Sequence, residues 1–212
     1  MKIKALNTSE LDIAHEVLNI GLTKSGDSLS FFTKQKVFLQ SIDFDTNNLS
    51  QIEPLISKKH ANDITLLTTE LKGELRGNCF LIFEQQEVEE LLNVALPKSI
   101  LEKPEMKLEM GEAILKELDN IVSASMITQL SNLLDCQVYG DVPQLDIVKA
   151  DQLQSVILDK SKFEYLFCFK TEFRVQNLEL KPSFIWGLDA RFLDGIKNIA
   201  KNGRELIDKY NA

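Results

Sequence analysis

Ser9-Glu10-Leu11-Asp12-Ile13-Ala14-His15-Glu16-Val17-Leu18-Asn19-Ile20-Gly21 is echoed by Met110-Gly111-Glu112-Ala113-Ile114-Leu115-Lys116-Glu117-Leu118-Asp119-Asn120-Ile121. Glu16 and Glu117 stand 101 residues apart, and so do Asn19 and Asn120. The same offset of 101 relates Ile13 to Ile114, Ile20 to Ile121, Leu29 to Leu130, Ser30 to Ser131 and Val37 to Val138. A constant offset across polar and apolar positions is the mark of an internal duplication. The period is close to half of the 212 residues. This predicts one domain over 1–212 built from two similar halves, about 1–97 and 105–212.

Each copy reads as a helix. In the first, Ser9 is placed to cap the N-terminus, with Asp12 three residues on at the capping-box position. Asp12, Glu16 and Asn19 follow i, i+4, i+7 spacing and share a face. Ile13, Val17 and Ile20 form a second, apolar face suited to burial. A carboxylate and a carboxamide less than a turn apart, backed by an apolar stripe, make a rigid two-pronged surface.

Working outward, Ser9 to about Lys34 is expected to be one long helix. Gly21 and Gly26 either break it or admit another backbone. Lys36–Phe44 reads as a strand, Leu49–Ser57 as a short helix, and Asp63–Leu71 with Gly77–Phe83 as two strands. A helix over Glu84–Ala95 follows, with Val88, Leu91, Leu92 and Ala95 on one side. Pro97 to Pro104 marks the join. Beyond it come a helix over Leu108–Leu134, a strand over Gln137–Val142 ended by Pro143, strands over Phe163–Val175 and Ser183–Leu188, and a terminal helix over Asp194–Asn211. The alternating Phe163, Phe167, Phe169 and Phe173 read as core. The expected class is α+β, an α/β-type sandwich. Long helices would pack on a mixed or antiparallel sheet, with the halves related by a pseudo-twofold axis.

The net charge of −8 and the pI of about 4.9 argue against nucleic acid or an anionic membrane surface as partner. No apolar run approaches the ~20 residues that span a bilayer, and the N-terminus lacks a signal-like apolar core. A cytoplasmic location is expected. Cys79, Cys136 and Cys168 form no CxxC pair and read as reduced, small packing residues. No cofactor or metal site is expected, and His15 and His60 have no nucleophile partner in sequence.

The pattern Asp/Ser-x3-Glu-x2-Asn, followed by a proline some 22 residues on, resembles the CheC/CheX/FliY response-regulator phosphatases of bacterial chemotaxis, with two-site CheC closest in layout. Asn19-Ile20-Gly21 is similar to the Asn-Ile-Gly of that family. The two copies depart from the pattern differently. The first keeps Asp12, Glu16 and Asn19 but has Ile42 where the proline would stand. The second keeps Glu117, Asn120 and Pro143 but has Ala113 at the Asp/Ser position.

The resemblance implies a mechanism. Glu16 and Glu117 would pair with the lysine of a phosphorylated CheY-type receiver domain. Asn19 and Asn120 would orient water for in-line attack on its aspartyl phosphate, with Asp12 and Pro143 in support. The receiver would supply Mg2+, and the chain would need no cofactor of its own. The same resemblance leaves an alternative, a CheC-like adaptor or phospho-receiver-binding regulator, for example of the deamidase CheD, with little turnover.

Overall fold

The structure is a computed structural model that describes residues 6–33, 35–46, 63–160, 165–175 and 178–202. The expected helix over Leu49–Ser57, Phe163 and the chain beyond Asn202 lie outside the described residues.

Helix α1 spans Thr8–Thr33 and runs unbroken through both glycines. Its cap is Asn7 rather than Ser9. The Glu10 amide donates to the Asn7 side chain at 3.0 Å, and the Asn7 amide donates back to the Glu10 carboxylate at 2.8 Å. That is a reciprocal capping box, set two residues before the Ser9/Asp12 pair. Strand β1 (Val37–Thr46), β2 (Asp63–Gly73) and β3 (Gly77–Glu84) follow, then α2 (Gln85–Ala95). The proline-bounded join carries one helical turn, α3 (Lys98–Leu101). Helix α4 (Pro104–Leu134) starts four residues earlier than the apolar periodicity implies, with its proline at the first turn, where no N–H is needed.

After α4 come β4 (Val138–Gly140), β5 (Gln144–Lys149), α5 (Leu153–Lys160), β6 (Tyr165–Val175), β7 (Leu178–Leu180), β8 (Ser183–Leu188) and α6 (Ala190–Asn202). The strand before Pro143 is shorter than expected, stopping at Gly140, and a new strand starts after the proline. Pro143 sits in an irregular step, because the pairing with β2 passes from Leu71↔Gly140 to Thr68↔Gln144. A proline lacks an N–H and fits such a bulge on an edge strand, so β5 resumes beyond it. The corresponding step in β1 falls between Ser41 and Asp43.

All the strand pairings described are antiparallel, in the order β1-β6-β8-β3-β2-β4, with β5 on β2 and β7 on β6. The order is unchanged when the halves are exchanged: each edge strand follows a long helix and pairs with the second strand of the other half. Strands β3 and β8 meet at the centre.

The main core lies between the sheet and the helices. Val17, Leu18 and Leu22 of α1 and Met126 of α4 pack there with Leu81, Phe173, Phe184 and Trp186. Ile13, Val17 and Ile20 are buried, as their spacing implies. On the opposite face, Ile64, Leu66, Phe80 and Ile185 pack beneath Leu153 and Ile157 of α5. Coverage on both faces explains why β2 and β3 are almost wholly buried.

Both glycines in α1 mark close approaches. A Cβ on Gly21 would lie 3.3 Å from the Met126 Cα, and one on Gly26 would lie 3.2 Å from the Leu39 amide nitrogen in β1. At the end of β2, Gly73 adopts φ +112°. A Cβ there would lie 2.4 Å from the Gln137 carbonyl oxygen. Gly73→Ala therefore combines a disfavoured dihedral with a clash against backbone. It should lower the unfolding free energy by about 2 kcal/mol or more, read from urea unfolding; a loss well under 1 kcal/mol would contradict this geometry.

Candidate functional site

The two Glu-x2-Asn pairs ride on α1 and α4, which pack side by side. Gly21 faces Met126, and the buried Ser25 hydroxyl makes hydrogen bonds to the Val122 carbonyl at 3.0 Å and the Gly21 carbonyl at 2.9 Å. The contacts 21–126 and 25–122 run in opposite senses, so the helices are antiparallel. In that register Asn120 lies opposite Asp27, eight residues along from Asn19, about 12 Å at 1.5 Å per residue. The two pairs thus display the same i, i+3 spacing on neighbouring antiparallel rods.

Their surroundings differ. Asp12 is exposed, while Glu16 and Asn19 are half-buried. Glu117 and Asn120 are both exposed. Beside Glu117 a groove of 520 Å³ opens between Leu29 of α1, Leu91 and Val94 of α2, and Ile114, Ile121 and Ala113 of α4. Ile114 and Ile121 are only half-buried, whereas Ile13 and Ile20 of the first copy are buried. Ala113, the residue in the Asp12 position, lines this groove, so the second site loses a carboxylate where it gains apolar surface. Pro143 is buried in the β4–β5 step. Among the described residues no group of three or more His, Cys, Asp or Glu could hold a metal ion, and no helix is long and apolar enough to cross a membrane.

No family model matches the chain. Over 150 residues, 67% of this chain and 68% of the relative, it is 23% identical to the CheY-P phosphatase CheC of Bacillus subtilis. Its fold is similar to that of Thermotoga maritima FliY, with a TM-score of 0.68 over 92% of this chain and 96% of that one at 15% identity. It is also similar to the FliM middle domain from H. pylori, with a TM-score of 0.55 over 92% of this chain and 100% of that one at 10% identity. The chain is thus similar in sequence to CheC and in fold to FliY and the FliM middle domain.

One polar residue of the second copy escaped the sequence reading. Asp119, between Leu118 and Asn120, is fully buried. The Thr69 hydroxyl of β2 donates to its Oδ2 at 2.7 Å, while Oδ1 has no hydrogen-bond partner among the described residues. Its equivalent in the first copy is Leu18, also buried. Two signals could have found it: Asp119 stands in the apolar stripe Leu115, Val122, Met126, and an acid replaces a leucine at the constant offset.

Burial pushes the Asp119 carboxyl up to about 7, with the Thr69 hydroxyl pulling it back down. In an unfolded chain an aspartate titrates near 3.9. The folded state therefore holds this proton more tightly. Its stabilising contribution is full below about pH 4 and is lost as pH rises through about 7. The gap corresponds to roughly 4 kcal/mol at most, a ceiling because relaxation around the charge reduces it. Asp119→Asn keeps the shape and removes the titration. Relative to wild type, the variant's unfolding free energy should rise steadily from about pH 4 to about pH 8 in urea titrations. A difference that stays flat across that range would mean that Asp119 does not titrate there.

Proposed function

We propose that the chain is a phosphatase acting on the aspartyl phosphate of a CheY-type receiver domain. One observation carries the reading: two Glu-x2-Asn pairs at equal spacing on packed antiparallel helices, within a fold similar to that of FliY and a sequence similar to that of CheC. The strand order that survives exchange of the halves supports reading the chain as one domain made of two repeats.

The residue types suit the reaction. An acyl phosphate is already reactive, so hydrolysis to aspartate and inorganic phosphate needs a positioned water more than a new nucleophile. Asn19 or Asn120 can hold that water through a carboxamide that both donates and accepts. Glu16 or Glu117, one turn away, docks the receiver by pairing with a lysine. The helix fixes the separation of the two groups better than a loop would. The Mg2+ and most of the charge stabilisation belong to the receiver.

A second reading has an observation of its own. The fold is also similar to that of the FliM middle domain, and fold alone does not fix chemistry. With Ala113 and Ile42 departing from the motif, the chain would then bind phosphorylated receivers, or a CheD-type deamidase, with little turnover.

The test is phosphate release from a Mg2+-bound, acyl-phosphorylated receiver. Wild type should accelerate it, and Asn19→Ala with Asn120→Ala should return it to the receiver's own rate, a loss of 10²-fold or more, while binding persists. Glu16→Ala with Glu117→Ala should also raise the receiver concentration required. Full activity in the double asparagine variant would refute the mechanism, and binding without release by wild type would favour the adaptor.

A further inference from the structure

Helix α4 carries Glu117 and Asn120 on its outer side and rests on the sheet through its inner side. Most of that inner contact is apolar: Leu115, Val122, Met126 and Ile127 are all buried in it. Such packing is non-directional, and by itself it leaves a helix free to roll or slide by fractions of an ångström. The one side-chain hydrogen bond described from the first half of α4 down to the sheet is the 2.7 Å contact from Thr69 to Asp119. Both partners are buried, Thr69 with 1% of its surface exposed and Asp119 with none. A buried carboxyl with one bonded and one unpaired oxygen is costly, and an apolar residue of similar size would fill the place, as Leu18 does in α1.

We propose that Asp119 is a positioning residue of the second site, fixing through Thr69 the rotation of the α4 turn that presents Glu117 and Asn120. The proposal rests on the phosphatase reading for its consequence, and on the Asp119–Thr69 contact for its cause. Asn120 directly follows Asp119 and Glu117 precedes it by two residues, so a roll of this turn re-aims both at once. In the first copy the same place is apolar. There α1 is held by Ser25, whose bond to Val122 both helices share, and by Ser30, whose Oγ accepts the Val37 amide at 2.8 Å and whose counterpart in α4 is Ser131; the Asp119–Thr69 bond has no counterpart at Leu18. The two sites therefore have different supports, and a change at Asp119 acts on one of them.

The groups that face Asp119 do not duplicate this role. Thr69 comes from β2, and from β3 comes Cys79, whose thiol burial pushes well above its ordinary value, with the Asp119 charge adding to the effect. Helix α1 meets α4 through Gly21 against Met126, Ser25 against Val122 and Ser28 against Ser125, and its ionisable residue nearest in this register is Asp27, opposite Asn120.

The experiment separates the sites. In an Asn19→Ala background, where the second site alone remains, Asp119→Leu should lower kcat for phosphate release by about tenfold or more, since small misplacements of a positioning group are costly. Thr69→Val, which keeps the shape and removes the hydroxyl, should do the same. Asp119→Asn, which can still accept from Thr69, should restore most of the rate. In an Asn120→Ala background none of the three should matter. Equal losses in both backgrounds would make Asp119 a general packing residue and overturn the proposal, as would no loss in either.

A second measurement does not depend on the reaction. In 15N–1H spectra, Asp119→Leu and Thr69→Val should move the side-chain amide signals of Asn120 and leave those of Asn19 in place. Unmoved Asn120 signals, or equal movement of both, would overturn the positioning role. If no receiver is dephosphorylated by wild type, the functional reading fails and the spectra alone decide the role of Asp119.

Discussion

The approach of α1 to α4 at Gly21 governs the geometry of everything on the helix layer. With no Cβ at Gly21, the backbone of Met126 comes within reach, and the Ser25 hydroxyl can bridge to the Val122 carbonyl. A larger residue at Gly21 would push the helices apart and leave Ser25 buried without its cross-helix partner, which is costly for a hydroxyl. Because both Glu-x2-Asn pairs ride on these two rods, their mutual placement is a consequence of this contact. The helix ends are fastened in a related way. Ser30 accepts the Val37 amide, and its counterpart Ser131 donates to the Cys136 carbonyl at 2.6 Å. Each serine ties the end of a long helix to the segment entering an edge strand.

Within that frame the two halves differ at positions where a change does not disturb the helix pair. Leu18 faces the core as an ordinary apolar residue, while Asp119 brings a carboxyl into the same environment and needs Thr69 to receive it. Val175 pairs with Val37 as Gly73 pairs with Val138, so Thr171 of β6 corresponds to Thr69, and it donates to the Pro182 carbonyl instead. The threonine hydroxyl has thus found a local partner on one side and a cross-layer partner on the other. The apolar stripe of α1 is closed, whereas that of α4 opens beside Glu117 into a groove. These differences all leave the strand order intact.

Much of the fold was legible because period and offset are strong signals. Ile13, Val17 and Ile20 read as a buried face and are one. The repeated glutamate, asparagine and serine positions identified the paired helices. The reading that glycines in α1 admit a close neighbour describes Gly21 and Gly26, and the alternative of a broken helix does not. The misses have physical causes. Pro143 read as a strand end, and β4 does stop before it, at Gly140; the reading missed that β5 takes up the pairing with β2 again just beyond the proline, where an edge strand at a bulge needs no donor. Helix α5 shows only Leu153 and Ile157 as its buried pair, too short a run for periodicity. Asp119 lies in the apolar stripe and replaces a leucine at the constant offset, but its hydroxyl partner Thr69 is 50 residues away in sequence and only the packing brings the two together. Of the site residues, the sequence foretold the spacing of each Glu–Asn pair but not the unequal exposure of the two pairs.

That inequality bears on what such a fold can do. Among the described residues, the antiparallel sheet under its helix pair holds no group of three or more His, Cys, Asp or Glu that could bind a metal ion. What it offers is two side chains held at a fixed interval on a stiff helix, and a partner can complete that arrangement into an active site or merely dock against it. The likeness to both FliY and the FliM middle domain fits this economy, since the scaffold is indifferent to which use is made of it. On the proposed mechanism the rate turns on the placement of one carboxamide, where a shift of about 1 Å is costly. A duplicated chain can vary that placement in one copy while the other holds the fold. A directional bond buried beneath a single helix turn, present in one half and absent from the other, is the kind of change by which the two copies come to differ in function without differing in architecture.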